Sequence, residues 1–251
     1  MKFLRKLSML AAACIMAPAI AQADATRVVF VTHGQAADQY WSVVKHGMDD
    51  AAKAMGVNAE YLAPETFDMP AMQKLLDAAI ASKPDGLVVS IPDENAIGPL
   101  VESAVKSGIP VIVIDSGGSE LSRKLGALLY MGQSEYDAGV AAGQKVKALG
   151  LTKAVCVNHE VGNVSLDDRC RGFGDGLGAE VPVLQGVMDP TEMKGRIAAH
   201  LQKNPDTQFV LTVGSAGADP ALAAVDEAGL TGKVKTGTFD LSPTILQAVV
   251  D

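Results

Sequence analysis

The stretch Val28-Val29-Phe30-Val31-Thr32-His33-Gly34-Gln35-Ala36-Ala37-Asp38-Gln39-Tyr40-Trp41 carries an apolar run into a polar segment that closes on two adjacent aromatics. An unbroken apolar run rich in β-branched residues reads as a strand covered on both faces. The polar segment then stands at the carboxyl end of that strand, the edge at which open parallel sheets bind ligands. Beyond it, Val44, Met48, Ala51, Ala52 and Met55 recur at helical spacing, with the aromatic pair opening the helix and Gly56 ending it.

The same alternation continues outward. A strand over 57–62 precedes a helix marked by Met72, Leu75, Leu76, Ala79 and Ile80 and introduced by Pro70. Pro84-Asp85-Gly86 turns the chain into a strand over 87–91. Ile97, Leu100, Val101, Ala104 and Val105 predict a helix that Gly108 stops before a strand over 109–114. From Tyr136 the pattern restarts: a helix to Leu149, then strands over 153–157, 181–187, 208–213 and 233–239. Between them fall helices over 165–177, through Ile197 and Leu201, and over 220–228. Such alternation predicts an α/β protein of two tandem Rossmann-like parallel-sheet domains, residues 24–131 and 132–251. They join near 128–134 with no Pro-rich or Ser-rich linker, so the two lobes are expected to meet closely.

Residues 1–23 read as a cleavable export signal: Lys2, Arg5 and Lys6 precede an apolar run over 7–20 and then Ala21-Gln22-Ala23. The rival reading, a lipid anchor on Cys14, requires cleavage in the middle of that run. Losing the three cations takes the formal net charge from -8 to -11, a balance that argues against a nucleic-acid partner. Cys156 and Cys170 then remain, one in a strand and one in the following helix. Export permits a disulfide between them, and two partly buried free thiols are the alternative.

In a parallel sheet the functional loops follow the strands. Here they are 32–40, 92–95 and 115–118 in the first unit, and 158–164, 188–190, 214–217 and Asp240 in the second. Asp93 and Ser165 also suit helix capping. Asp115 directly ends a run of buried β-branched residues.

The Tyr40-Trp41 pair, Pro84-Asp85-Gly86-Leu87-Val88-Val89, Gly108-Ile109-Pro110-Val111-Ile112-Val113-Ile114-Asp115, and Arg169 ahead of Gly172-Phe173 resemble the periplasmic sugar-binding proteins of ABC transporters, the ribose-binding type in particular. The resemblance runs from Val28 to Asp251. It implies that Tyr40 and Trp41 stack on a sugar ring, whose C–H face an aromatic ring covers well. Asp115, Arg169 and Asp240 are implied to bond its hydroxyls, with Arg171 the competing choice for the arginine and with Ser116 and the backbone at Gly214 at further matching places. Gln35, Asp38 and Asn163 are candidates from their places in the strand-end loops, cap or turn roles being the alternative for Gln35 and Asp38. Ser116 replaces a longer residue, commonly Arg, and Gly214-Ser215 replaces an Asn-Asp pair, so the ligand is expected to differ from ribose. Family members continue beyond the position of Asp251, so the fold is expected to be truncated at its C-terminus. The implied partners are a monosaccharide or polyol, a membrane permease and, in a sensing variant, a chemoreceptor or membrane kinase. The implied location is the periplasm, with no cofactor and no metal.

An enzyme reading is weaker. The cluster Gly172-Phe173-Gly174-Asp175-Gly176 falls inside a predicted helix and not at a strand-to-helix turn, so it lacks the context of a dinucleotide fingerprint. Gly-x-Ser-x-Gly is absent, and His33, His46, His159 and His200 show no metal-ligand spacing.

Overall fold

The computed structural model describes residues 25–34 and 38–250. The expected export signal over 1–23 and Gln35 lie outside the described residues. The first lobe runs β1 (Arg27–Val31), α1 (Gln39–Met55), β2 (Asn58–Leu62), α2 (Met69–Ala81), β3 (Gly86–Val89), α3 (Glu94–Lys106), β4 (Val111–Ile114), α4 (Gly118–Lys124) and β5 (Leu129–Met131). The second runs α5 (Glu135–Ala148), β6 (Ala154–Asn158), α6 (Val164–Leu177), β7 (Val183–Gln185), α7 (Pro190–Lys203), β8 (Phe209–Thr212), α8 (Ser215–Glu227), β9 (Lys235–Thr238) and α9 (Pro243–Val250). The short helix α4, at seven residues, is too short to show a helical period in the sequence.

Each lobe is a parallel sheet, ordered β2-β1-β3-β4-β5 in the first and β7-β6-β8-β9 in the second. The register brings the strand ends level: Val31 pairs with Leu62 and Val89, and Val89 with Val113. In the second sheet Val157 pairs with Thr212, and Thr212 with Thr238. The loops that follow these ends therefore share one edge in each lobe. Buried aliphatics anchor the sheets: Val29, Val89 and Val113 pack with Met72, Leu76, Ile97 and Val101. The second sheet has a core on both faces, one around Phe173, Leu177 and Leu211, the other around Val155, Met193, Ile197 and Val210.

Helix starts follow side-chain capping chemistry. Asp38, Asp68, Asp93, Ser134, Asn163 and Asp189 each accept a backbone N–H in the first turn of α1, α2, α3, α5, α6 and α7. Asn163, not Ser165, is the cap of α6. The glycine cluster has a packing role. A Cβ on Gly139, Gly143, Gly172 or Gly176 would come within 2.1–2.2 Å of a backbone oxygen of the facing helix, so α5 and α6 cross at a distance only glycine permits.

Cys156 of β6 and Cys170 of α6 form a disulfide with Cα atoms 5.8 Å apart, which resolves the two readings of that pair. Where the chain passes from β5 to α5, the Tyr130 hydroxyl donates to the carbonyls of Asp115 at 2.6 Å and Gln133 at 3.0 Å, holding the crossing against the end of β4.

Candidate functional site

A cleft of about 290 Å³ lies between the carboxyl edges of the two sheets. Its first-lobe wall grows out of β1. His33 is buried, with its backbone N–H and Nδ1 on Ser90 Oγ at 3.1 and 2.8 Å. The ring stands edge-on to Trp41 at 4.9 Å, and Trp41 stands edge-on to Tyr40 at 5.2 Å. Gly34 makes room for this cluster, because a Cβ there would fall 2.0 Å from the Trp41 ring. Asp38 caps α1 by accepting the Tyr40 N–H at 2.8 Å, and burial raises its carboxyl above the usual range. Tyr40 is half-buried on the cleft wall; burial, followed by the negative charge of Asp115, raises its phenol, so it remains a neutral donor.

Asp115 ends β4 in the left-handed region at φ 60°, a conformation that turns its carboxylate out of the strand and into the cleft. Ser116 does not line the cleft. It is 1 % exposed, and its hydroxyl donates to Asp115 Oδ2 at 2.7 Å. The Ser116 side chain is short, folds back on its neighbour and braces the Asp115 carboxylate.

The second-lobe wall follows β6, β8 and β9. Asn158 accepts the Glu160 N–H at 2.9 Å and donates to Asp167 at 2.8 Å, fixing the loop. Glu160 is buried and accepts from Asn163 Nδ2 at 2.7 Å; burial raises its carboxyl, and His33 opposes that shift. Arg169 is 7 % exposed and fully engaged. Its Nε donates to Glu135 Oε2 at 2.6 Å, a second guanidinium nitrogen reaches the same oxygen, and a third contacts the Val213 carbonyl. The guanidinium also lies 4.4 Å over the Phe239 ring. Burial pushes the His159 imidazole down to about 4, with Arg169 and His33 adding to the shift, so it is neutral at pH 7. Its Nδ1 has no hydrogen-bond partner among the described residues. Gly214 keeps the wall open, since a Cβ there would sit 3.0 Å from His159 Cε1 and 3.5 Å from Asp240 Oδ2. Asp240, two residues beyond β9, also stands in the left-handed region, at φ 65°.

Tyr40, Trp41, Asp115, Asn163, Arg169, Gly214 and Asp240 thus line one cavity, joined by His33, Gln133, Glu135, His159 and Glu160. His33, His159 and Glu160 stand in loops the strand pattern had already marked. Gln133 and Glu135 lie at the crossing between lobes, where nothing local distinguishes a wall residue from a linker residue.

A family model of the periplasmic binding protein domain matches residues 28–251. Among curated relatives, the xylose/arabinose-binding protein XylF of Sulfolobus acidocaldarius is 24% identical over 242 residues, covering 90% of this chain and 60% of that protein. The D-ribose/D-allose-binding protein of Pseudomonas aeruginosa is 27% identical over 186 residues, covering 69% of this chain and 57% of that one. The chain therefore spans about 60% of the length of these relatives. Among solved structures, a carbohydrate transporter from Acidothermus cellulolyticus in complex with myo-inositol superposes with a TM-score of 0.85 at 31% identity, covering 90% of this chain and 78% of that one. A periplasmic sugar-binding protein of an ABC transporter from Legionella pneumophila gives a TM-score of 0.81 at 25% identity, covering 90% and 85%. The chain belongs to the periplasmic binding protein domain family.

Proposed function

From that family membership, we propose that the protein is the solute-binding component of an ABC transporter. It is exported to the periplasm, closes its two lobes on a monosaccharide or polyol, and delivers it unchanged to a membrane permease. The observation that carries this reading is the facing of Tyr40 and Asp115 from one lobe with Asp240 from the other across a single cavity. An aromatic ring offers an apolar face to ring C–H groups, while carboxylates accept hydroxyl protons. Hydrogen bonds to ionised partners contribute about 1.5–3 kcal/mol each.

In this reading Tyr40, Asp115 and Asp240 touch the ligand, and Trp41 closes the apolar end of the wall. Ser116 braces Asp115. Asn163 holds Glu160 and caps α6, and Arg169 shapes the wall through Glu135. Gly214 leaves the space, and Gln35 is assigned to hydroxyl contact from its place in the loop. The sugars named for the relatives, and the myo-inositol of the superposed structure, support the ligand class. Asp115→Ala tests the site: calorimetry against a bound sugar or polyol is expected to show affinity falling at least on the order of tenfold with the fold intact. Unchanged affinity would remove Asp115 from the site. A thermal-shift screen over pentoses, hexoses, inositols and sugar alcohols tests the class, since a bound ligand raises Tm by mass action.

A further inference from the structure

We infer that the preferred ligand of this cleft is a cation: an amine-bearing polyol or amino sugar, taken over its neutral counterpart and over any carboxylated or phosphorylated one. The inference rests on the reading of the cleft as a sugar or polyol site and deepens it.

The charge of the cavity wall carries it. Asp38, Asp115, Glu135, Glu160 and Asp240 all line the cavity, whereas Arg169 is the single Lys or Arg among the described lining residues. Arg169 is already committed by hydrogen bonds to Glu135 and the Val213 carbonyl and lies over the Phe239 ring; its charge reaches Asp240 as well, so one cation serves two of the five carboxylates. His159 is neutral at pH 7. His33 Nε2 lies 3.5 Å from Glu160 and 3.8 Å from Asp115, so it supplies at most one further positive charge. Asp38 is occupied as a helix cap. Asp115 and Asp240 are left, one from each lobe. Asp115 accepts from Ser116 and from the Tyr40 hydroxyl, both neutral donors, and no described side chain donates to Asp240.

These carboxylates also act on one another: burial first, and the charge of Asp115 as a smaller contribution, raise the carboxyls of Asp240, Glu160, Glu135 and Asp38. A wall of acceptors with surplus negative charge is completed by a donor that is also a cation. A protonated amine meets both needs, a hydroxyl meets the first, and a carboxylate or phosphate meets neither. A metal ion is a poor fit, because among the described residues no three His, Cys, Asp or Glu side chains converge to hold one. The charge is spread across the width of a small organic molecule.

Calorimetry on the full chain, just below neutral pH, with D-glucose, D-glucosamine and D-glucuronate and with myo-inositol and an amino-deoxy-inositol, tests this directly. The expected result is that an amine-bearing probe binds on the order of tenfold tighter than its neutral partner. D-glucuronate should not bind, and added NaCl should weaken the amine while leaving the neutral probe nearly unaffected. Asp240→Asn should reduce affinity for the amine more than for the neutral compound. Equal or tighter binding of the neutral probes, or equal losses in the variant, overturn the charge assignment while leaving the sugar reading in place. No binding by any member of the panel overturns both.

Discussion

His33 and Glu160 meet across the cleft, with His33 Nε2 of the first lobe 3.5 Å from Glu160 Oε2 of the second. Asn163 Nδ2 lies beside both, 2.7 Å from the glutamate and 3.4 Å from the imidazole. Close by, the Val164 N–H donates to the Pro92 carbonyl at 3.1 Å, a second bond from lobe to lobe. Direct contacts of this kind favour the closed arrangement before any ligand contributes. Glu160→Gln keeps an oxygen for Asn163 and removes the charge facing His33. The expected outcome is an intact fold from which ligand dissociates on the order of tenfold faster, read by stopped-flow fluorescence of Trp41. An unchanged dissociation rate would show that the pair does not hold the lobes.

Arg169→Ala leaves Glu135 buried without its cation and the Val213 carbonyl without its donor. Breaking such a pair from one side costs about 3–5 kcal/mol, measurable by urea denaturation. The loss has a pH signature. Burial already holds the Glu135 carboxyl above its unfolded value, and removing Arg169 takes away the charge that opposes that shift. A raised carboxyl favours the fold below its unfolded pKa and disfavours it as pH rises through the folded value. The deficit of the variant should therefore shrink in acid and be largest at neutral pH. Arg169→Lys should recover only part of it, because an ammonium lacks the planar fork that reaches Glu135 and Val213 together.

The disulfide joins residues 14 apart in the second lobe. Closing a loop of that size restricts the unfolded chain by about 3 kcal/mol. Replacing both Cys156 and Cys170 by Ala should lower unfolding stability by roughly that amount, as should reduction of the native protein. Both effects should show in chemical denaturation, and adding reductant to the double variant should change nothing further.

His159 makes the acid limb of the stability profile steeper. Its folded pKa of about 4 lies below the ordinary 6.5. As pH falls the unfolded chain takes up the proton first, so stability present above about 6.5 is lost between there and about 4. His159→Gln should flatten that limb, with a difference between the two proteins that develops across the window and totals at most on the order of 3 kcal/mol. Parallel urea titrations across that range would show it, and superimposable profiles would contradict the assignment.

The order and type of the elements were legible in the chain because apolar runs such as 28–31 and 111–114, bounded by Gly and Pro, encode strand burial locally. Element ends were less so: the strand read over 181–187 is paired only at Val183–Gln185. Functional loops were legible as positions, since a parallel sheet puts them all at strand ends. Individual roles were not. Ser116 stands in the right loop yet turns onto Asp115, and Asn163 combines a helix cap with a hold on Glu160, choices made by a few degrees of backbone rotation.

What the sequence alone determined is the alternation of strand and helix, the parallel direction that follows from it, and the edge where side chains gather. Periodicity and turn chemistry act over a few residues, and they are written there. Only the tertiary structure decided which of those groups face one another. His33 and Asn163 are separated by 130 positions along the chain, and Arg169 finds Glu135 across the crossing of α5 and α6. The glycines of that crossing, the pairing of Cys156 with Cys170, and the surplus of carboxylates around one cavity all depend on how two lobes pack. No local pattern reports that, because each segment records which of its own faces is buried and not what buries it.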